Sequence, residues 1–157
     1  MKLNIQIRKA RAEDNAEVTA FAFGIMRSVG IEPDPENIDS ALAGFGKKHE
    51  TLSSDFVAVD CERPIGAIIL KRISSVVGEV TGFYVRPDYQ NQGIGVRLLD
   101  SALFAAVKAG YEKLELTTNR NLTTAIRLYE SLGWVRQPEK PDNGADYLYS
   151  LDLRKSV

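Results

Sequence analysis

Apolar and polar positions alternate over residues 3–8, with Leu3, Ile5 and Ile7 set against Asn4, Gln6 and Arg8, the period of a half-buried strand. Glu13, Asp14 and Asn15 are cap-type residues, and the period then lengthens. Val18, Phe21, Ala22 and Ile25 fall at i, i+3, i+4 and i+7, the buried face of a helix. Gly30, Pro33 and Pro35 break it. A second helix is expected over about residues 35–45, with Ile38, Leu42 and Phe45 inward and with Gly44 and Gly46 as breakers near its end. Residues 47–54 read as a polar loop. Strands are expected at 56–60 and 65–72, joined by the turn Cys61-Glu62-Arg63-Pro64, and a third at 79–85 after a turn over 74–78.

That third strand opens the most informative stretch, EVTGFYVRPDYQNQGIG over residues 79–95. Phe83, Tyr84 and Val85 suit a strand, and Pro87 stops it because proline cannot donate to a ladder. Residues 96–103 then read as a helix that ends at Gly110. Gly93 and Gly95 at its entrance let a ligand approach the backbone, and its first turn offers free N–H groups at the positive end of the dipole. This is an anion site, and a diphosphate is the anion it suits. Candidate ligand-holding positions are Gln90, Asn91, Gln92, Gly93, Ile94, Gly95 and Val96. There is no Gly-Lys-Ser/Thr of a P-loop and no third glycine at dinucleotide-fold spacing.

The rest of the chain reads as a strand at 114–117, a helix opened by Asn121 as N-cap, a short strand at 134–136, a proline-bearing loop at 137–142 and an alternating strand at 145–153. In the helix Ala125, Leu128, Tyr129 and Leu132 share a face, and Gly133 ends it. The order is strand, two helices, three strands, helix, strand, helix, two strands. That is a mixed α/β fold, a central sheet packed by helices on both faces.

Two blocks carry a family resemblance. Val85-Arg86-Pro87 followed by Gln90-x-x-Gly93-x-Gly95 resembles the acyl-CoA loop of the GNAT N-acetyltransferases. Asn121-x-x-x-Ala125-x-x-Leu128-Tyr129-x-x-x-Gly133-Trp134 is similar to a second block of that family, with Trp where Phe is commoner. The resemblance implies a GNAT fold with a mostly antiparallel mixed sheet flanked by helices. It implies acetyl-CoA as acyl donor and direct transfer to an amine. It also implies a splayed strand whose backbone near Tyr84 and Val85 meets the pantetheine arm, and a cofactor contact at Asn121.

Composition narrows the class. A chain of 157 residues, 44% hydrophobic, is expected to form one domain over residues 1–157. A net charge of −1 gives no basic surface for nucleic acid. The single cysteine, Cys61, has no internal disulfide partner, and its hairpin turn has no neighbouring motif for a nucleophile. No apolar run reaches the roughly 18 residues of a membrane span. A soluble cytoplasmic protein is expected, and no metal ligand set stands out.

Acyl transfer to an amine needs a proton acceptor, because an ammonium has no lone pair, and stabilisation of the carbonyl oxygen and departing thiolate. By the resemblance Tyr129 is the general acid; by position alone it is a core residue. Glu79 is the candidate base, directly or through a water, or else an exposed carboxylate at a strand start. On plain alternation it shares a face with Thr81 and Phe83, unless a bulge resets the register. His49 has a suitable intrinsic pKa but sits in a polar surface run. Specificity is expected from residues 28–54 and 137–147, with a small, amino-acid-like amine as acceptor. A non-catalytic acyl-CoA sensor, a longer-chain acyltransferase and an enzyme acting on a protein amine are the rivals. A homodimer is compatible with the Tyr147, Tyr149 and Leu151 face.

Overall fold

The computed structural model describes residues 4–47 and 53–155, and His49 lies outside them. Its strands are β1 (Ile5–Lys9), β2 (Ser53–Asp60), β3 (Arg63–Arg72), β4 (Val77–Val85), β5 (Lys113–Thr118), β6 (Val135–Arg136) and β7 (Tyr147–Asp152). The α-helices are α1 (Asn15–Ser28), α2 (Ser40–Ala43), α3 (Ile94–Lys108) and α4 (Thr123–Ser131). The strands form one sheet in the order β1-β2-β3-β4-β5-β7-β6. Every pairing is antiparallel except β4 with β5. Among the described residues no helix is long and apolar enough to cross a membrane.

The sheet has a core on each face. On one side Ile68, Leu70 and Val80 pack under Leu98, Ala102 and Ala106 of α3, together with Tyr129, Trp134 and Tyr149. On the other Val57, Ala67 and Ile69 pack against Val18, Ala22 and Met26 of α1 and against Leu42 and Phe45. β3 is buried almost end to end because both faces are covered, which is why it reads as a continuous apolar run.

The expected helix over 35–45 shrinks to the four residues of α2. The Asp39 carboxylate accepts the Asp34 N–H at 2.8 Å, and Asp34 in turn accepts from the Asn37 side chain, so side chains hold this segment in turns rather than a helix. Leu42 and Phe45 point inward as expected, whereas Ile38 is exposed. Leu132 is exposed as well, because α4 ends at Ser131. Tyr149 is buried against Tyr129 within the same chain, so the Tyr147–Tyr149–Leu151 face is core and not a free surface.

Asp14 is more than a cap. It is buried and takes two hydrogen bonds from the Arg8 guanidinium, at 2.8 and 3.1 Å, and one from the Arg11 N–H at 2.8 Å. This ties β1 to the start of α1.

Candidate active site

β4 and β5 pair only from Val77 to Glu79 against Lys113 to Glu115. Beyond that point β5 keeps its pairing with β7 to Thr118, and β4 runs on to Val85 paired with β3 alone. The divergence opens a cavity of about 1130 Å³ between the α1–α2 connection, β4, the α3 entrance and α4. This volume takes a drug-sized ligand with space for a second reactant.

A bulge sets which side chains enter it. The register passes from Ile69↔Thr81 to Ala67↔Tyr84, so β4 carries one residue more than β3 across that interval. Gly82 absorbs the extra residue at φ +59°, a left-handed value that glycine adopts without strain. The slip changes the alternation. Glu79 shares a face with Thr81 and then Tyr84, while Val80, Phe83 and Val85 turn to the α3–α4 core.

Backbone groups alternate sides along a strand. Arg86 donates its N–H to the Ile65 carbonyl on the β3 side at 2.8 Å. The Val85 N–H therefore faces the gap left by β5, and that of Tyr84 faces β3. Of these two residues, Val85 offers the free donor, and Tyr84 contributes its side chain to the cavity wall. The Gln90 side-chain amide donates to the Val85 carbonyl at 3.0 Å and closes the end of the strand.

The loop into α3 presents a run of unsatisfied backbone donors, the arrangement an anion suits. Asn91 (φ +63°) and Gly93 (φ +81°) are both left-handed, which turns successive N–H groups to one side. From Asn91 through Val96 no N–H has an acceptor among the described residues, and α3 has no side-chain cap. A Cβ on Gly93 would project into open space, so glycine is kept there by its φ and leaves the cradle clear. Gly95 is small for another reason. A Cβ there would lie 3.2 Å from Leu128 Cδ2 and 3.2 Å from Phe83 Cζ, so its absence lets α3 pack on α4 and β4. Ile94 is buried beneath the turn, while Gln92 is exposed at its crest.

Tyr129 lies at the cavity wall, 5% exposed, among three tilted rings: Phe83, Trp134 and Tyr149, with centroids at 6.0, 5.9 and 6.1 Å. Its hydroxyl has no hydrogen-bond partner among the described residues. Burial, then the neighbouring Tyr84, hold its pKa above the ordinary phenol value, so at neutral pH it carries its proton. Tyr84 is raised too, by burial and then by Asp39.

Glu79 does not line the cavity itself; it stands one same-face position behind Thr81, which does. Its carboxylate is 3.9 Å from Lys71 Nζ. Burial raises its pKa, Lys71 opposes this and Glu115 adds to it, leaving a net rise. Asn121 is not the N-cap of α4, a place taken by Leu122. Its amide reaches away from α4 and donates to the Val29 carbonyl at the end of α1, 2.9 Å away, while the residue lines the cavity. Cys61 is exposed at the β2–β3 turn, outside the cavity lining.

Several cavity residues escaped the sequence reading. Behind that lining, Tyr149 meets the Tyr129 ring from β7, and no spacing announces that meeting; Trp134, just after α4, is a second ring against it. Arg127 lines the cavity beside Leu128, an exposed cation with no acidic partner among the described residues. Asp34 and Asp39 line the same cavity, brought there by the turns that replace a helix.

Known proteins match this architecture. The crystal structure of a GNAT-family acetyltransferase from Staphylococcus aureus Mu50 superposes with a TM-score of 0.82 at 18% identity, covering 95% of this chain and 99% of that one. The PaiA N-acetyltransferase of Thermoplasma acidophilum, solved in complex with coenzyme A, gives 0.75 at 21% identity over 96% and 99%. In sequence the chain is 30% identical over 92 residues to N-alpha-acetyltransferase 30 of Schizosaccharomyces pombe, 56% of this chain and 61% of that protein. It is 32% identical over 85 residues to the human protein of that name, spanning 52% of this chain and 24% of the relative's length. The sequence model described as "Acetyltransferase (GNAT) family" matches residues 14–134, from the buried aspartate at the head of α1 to the tryptophan that backs Tyr129. With the family's loop, its splayed strand and its fold all in this one chain, it belongs to the GNAT acetyltransferase family.

Proposed function

We propose that the protein transfers an acetyl group from acetyl-CoA to the primary amine of a small acceptor by direct attack. The observation that carries this reading is that Asn91 and Gly93–Val96 with their acceptor-free N–H groups, Val85 with its free N–H and Tyr129 with its unpartnered hydroxyl all line one cavity. The donor set fits coenzyme A. Left-handed backbone at Asn91 and Gly93 with the α3 dipole suits the diphosphate, and Arg127 adds a cation to the same cavity. Asn121 is placed to meet the pantetheine arm once its bond to Val29 is exchanged. The bound thioester supplies the activated acetyl group.

The chain's own residues divide the remaining work. The Val85 N–H donates to the carbonyl oxygen, where negative charge grows. Tyr129, kept protonated by burial, donates its hydroxyl proton toward the leaving sulfur. Glu79, set back behind Thr81 on the acceptor side, takes the amine proton through a water; its raised pKa makes it a better base than an ordinary exposed glutamate.

A second reading, the α-amine of a peptide as acceptor, draws on the 30% identity to N-alpha-acetyltransferase 30. A thermal melt with saturating acetyl-CoA tests the cofactor assignment, with ADP as control. A ligand at one hundred times its Kd adds about 2.7 kcal/mol, so a shift of roughly 5–10 °C is expected for a domain of this size. No shift with any CoA ester overturns the acyltransferase reading.

A further inference from the structure

The α1–α2 connection forms one wall of the cavity, and its charge is one-sided. Glu32, Asp34 and Asp39 line it, while the sole cationic lining residue among those described is Arg127 on α4. Glu32 is offset by Arg27, 3.8 Å away. Asp34 and Asp39 have no cation within ion-pair distance among the described residues. Their carboxylates accept only the Asn37 amide on Asp34 and the Asp34 N–H on Asp39 among the described residues, which leaves lone pairs on both. Two neighbouring carboxylates in a half-enclosed wall repel each other and are stabilised by an added positive charge. Burial, with Asp34 adding to it, raises the Asp39 pKa although a backbone bond opposes it, consistent with a missing counter-charge.

Two unpartnered hydroxyls enter the same cavity. Tyr129 is 5% exposed with its hydroxyl unbonded, and Tyr84 stands electrostatically between it and Asp39, with no hydrogen-bond partner among the described residues either. A neutral phenol next to a carboxylate pair supplies a further acceptor for an N–H donor.

This inference rests on the acetyl-transfer reading and names its acceptor class. We propose that Asp34, Asp39 and Tyr84 form a cation subsite for a second, non-reacting positive group, so that the preferred acceptor is a small dication of the diamine type. The attacking nitrogen must be neutral, and a carboxylate pair favours the ammonium form, so the pair suits a nitrogen that keeps its proton while the other, toward Val85 and Tyr129, gives its proton up. A free α-amino acid fits poorly, since its carboxylate would share this acidic wall with no cation to meet it.

The test compares 1,4-diaminobutane, n-butylamine, a free α-amino acid and a neutral-side-chain peptide amide as acceptors, following CoA release. Isothermal titration of the diamine into protein without acetyl-CoA runs alongside. The diamine is expected to exceed butylamine in kcat/KM by about tenfold or more, the worth of a charge-assisted hydrogen bond. The advantage should appear in KM, shrink with added salt, and collapse in Asp39→Asn and Asp34→Asn, where diamine binding by titration also weakens. Two aspartates tested separately guard against one variant that fails to fold. Equal rates with butylamine, a preference for the amino acid or the peptide amide, or a diamine advantage that survives both substitutions would overturn the subsite. If no amine is acetylated, diamine binding that depends on Asp39 still upholds the cation site while the transfer reading falls; absence of binding sinks the subsite itself.

Discussion

The side-chain amide of Asn121 donates to the carbonyl of Val29 at 2.9 Å, joining positions 92 residues apart in the chain. One residue precedes α4 and the other follows α1, and both line the cavity. The bond holds the acceptor-side connection against the helix that carries Tyr129.

Asn121→Ala and Asn121→Asp should therefore behave alike. Aspartate is as good a helix cap as asparagine but has no N–H to give Val29. Each is expected to lower stability by about 1 kcal/mol, the net worth of one hydrogen bond, and to weaken acetyl-CoA binding in titration calorimetry. Full rescue by aspartate would show that Asn121 acts as a cap.

Gly82→Ala tests the bulge. The new Cβ would meet Ile69 Cδ1 at 2.8 Å with φ at +59°. Left-handed backbone alone costs about 1–2 kcal/mol for an L-residue, and the steric overlap adds to that. Urea denaturation should show a loss of about 2 kcal/mol or more, and turnover should fall because Tyr84 and Val85 depend on the slipped register.

Tyr129→Phe keeps the three ring contacts and removes a hydroxyl that bonds to nothing in the described structure. Stability is expected to stay within about 0.5 kcal/mol, while kcat under saturating acceptor drops by about a hundredfold. An unchanged kcat would reduce Tyr129 to a core residue.

Glu79→Gln should shift both activity and the pH dependence of stability. Burial raises the carboxyl pKa in the folded protein, so folding favours the protonated form. At neutral pH the wild type is ionised and bears that penalty, which glutamine avoids. The variant is expected to be the more stable protein at pH 7, with the difference fading as pH falls through the raised pKa and gone below the ordinary carboxylate value of about 4.3. The acidic limb of kcat/KM should flatten. An unaltered pH–rate profile would remove Glu79 as the base.

Asp14→Asn breaks the buried link to Arg8. Burial raises the Asp14 pKa, but the Arg8 and Arg11 bonds outweigh it and bring the value below the usual one. Its stabilisation is thus present above the ordinary carboxylate pKa and is lost as pH falls through the depressed one. A loss of about 3 kcal/mol at neutral pH is expected, shrinking toward acid, as thermal melts across pH would show.

Local pattern was enough for much of this protein. Alternation located the strands, the longer period located α1 and the body of α4, and the two glycines after Pro87 marked the loop into α3, because each depends on neighbours within a turn or two of chain. The segment over 35–45 was not legible that way. Its apolar spacing suggests a helix, but the Asp34–Asn37–Asp39 bonds compete with the helical ladder and win. Plain alternation along β4 likewise pairs Glu79 with Phe83, and only the register against β3 reveals the extra residue at Gly82 that puts Tyr84 there instead.

The amino-acid sequence by itself determined the α/β order, the family and the glycine loop into α3, because these are written in periodicity and in residue types at short spacing. Tertiary structure alone decided that Val85 and not Tyr84 presents the free N–H, that Tyr149 packs on Tyr129, and that Asp34 and Asp39 line the same cavity. Those relationships depend on which strand loses its neighbour and where distant chain segments meet, and sheet register and packing set both.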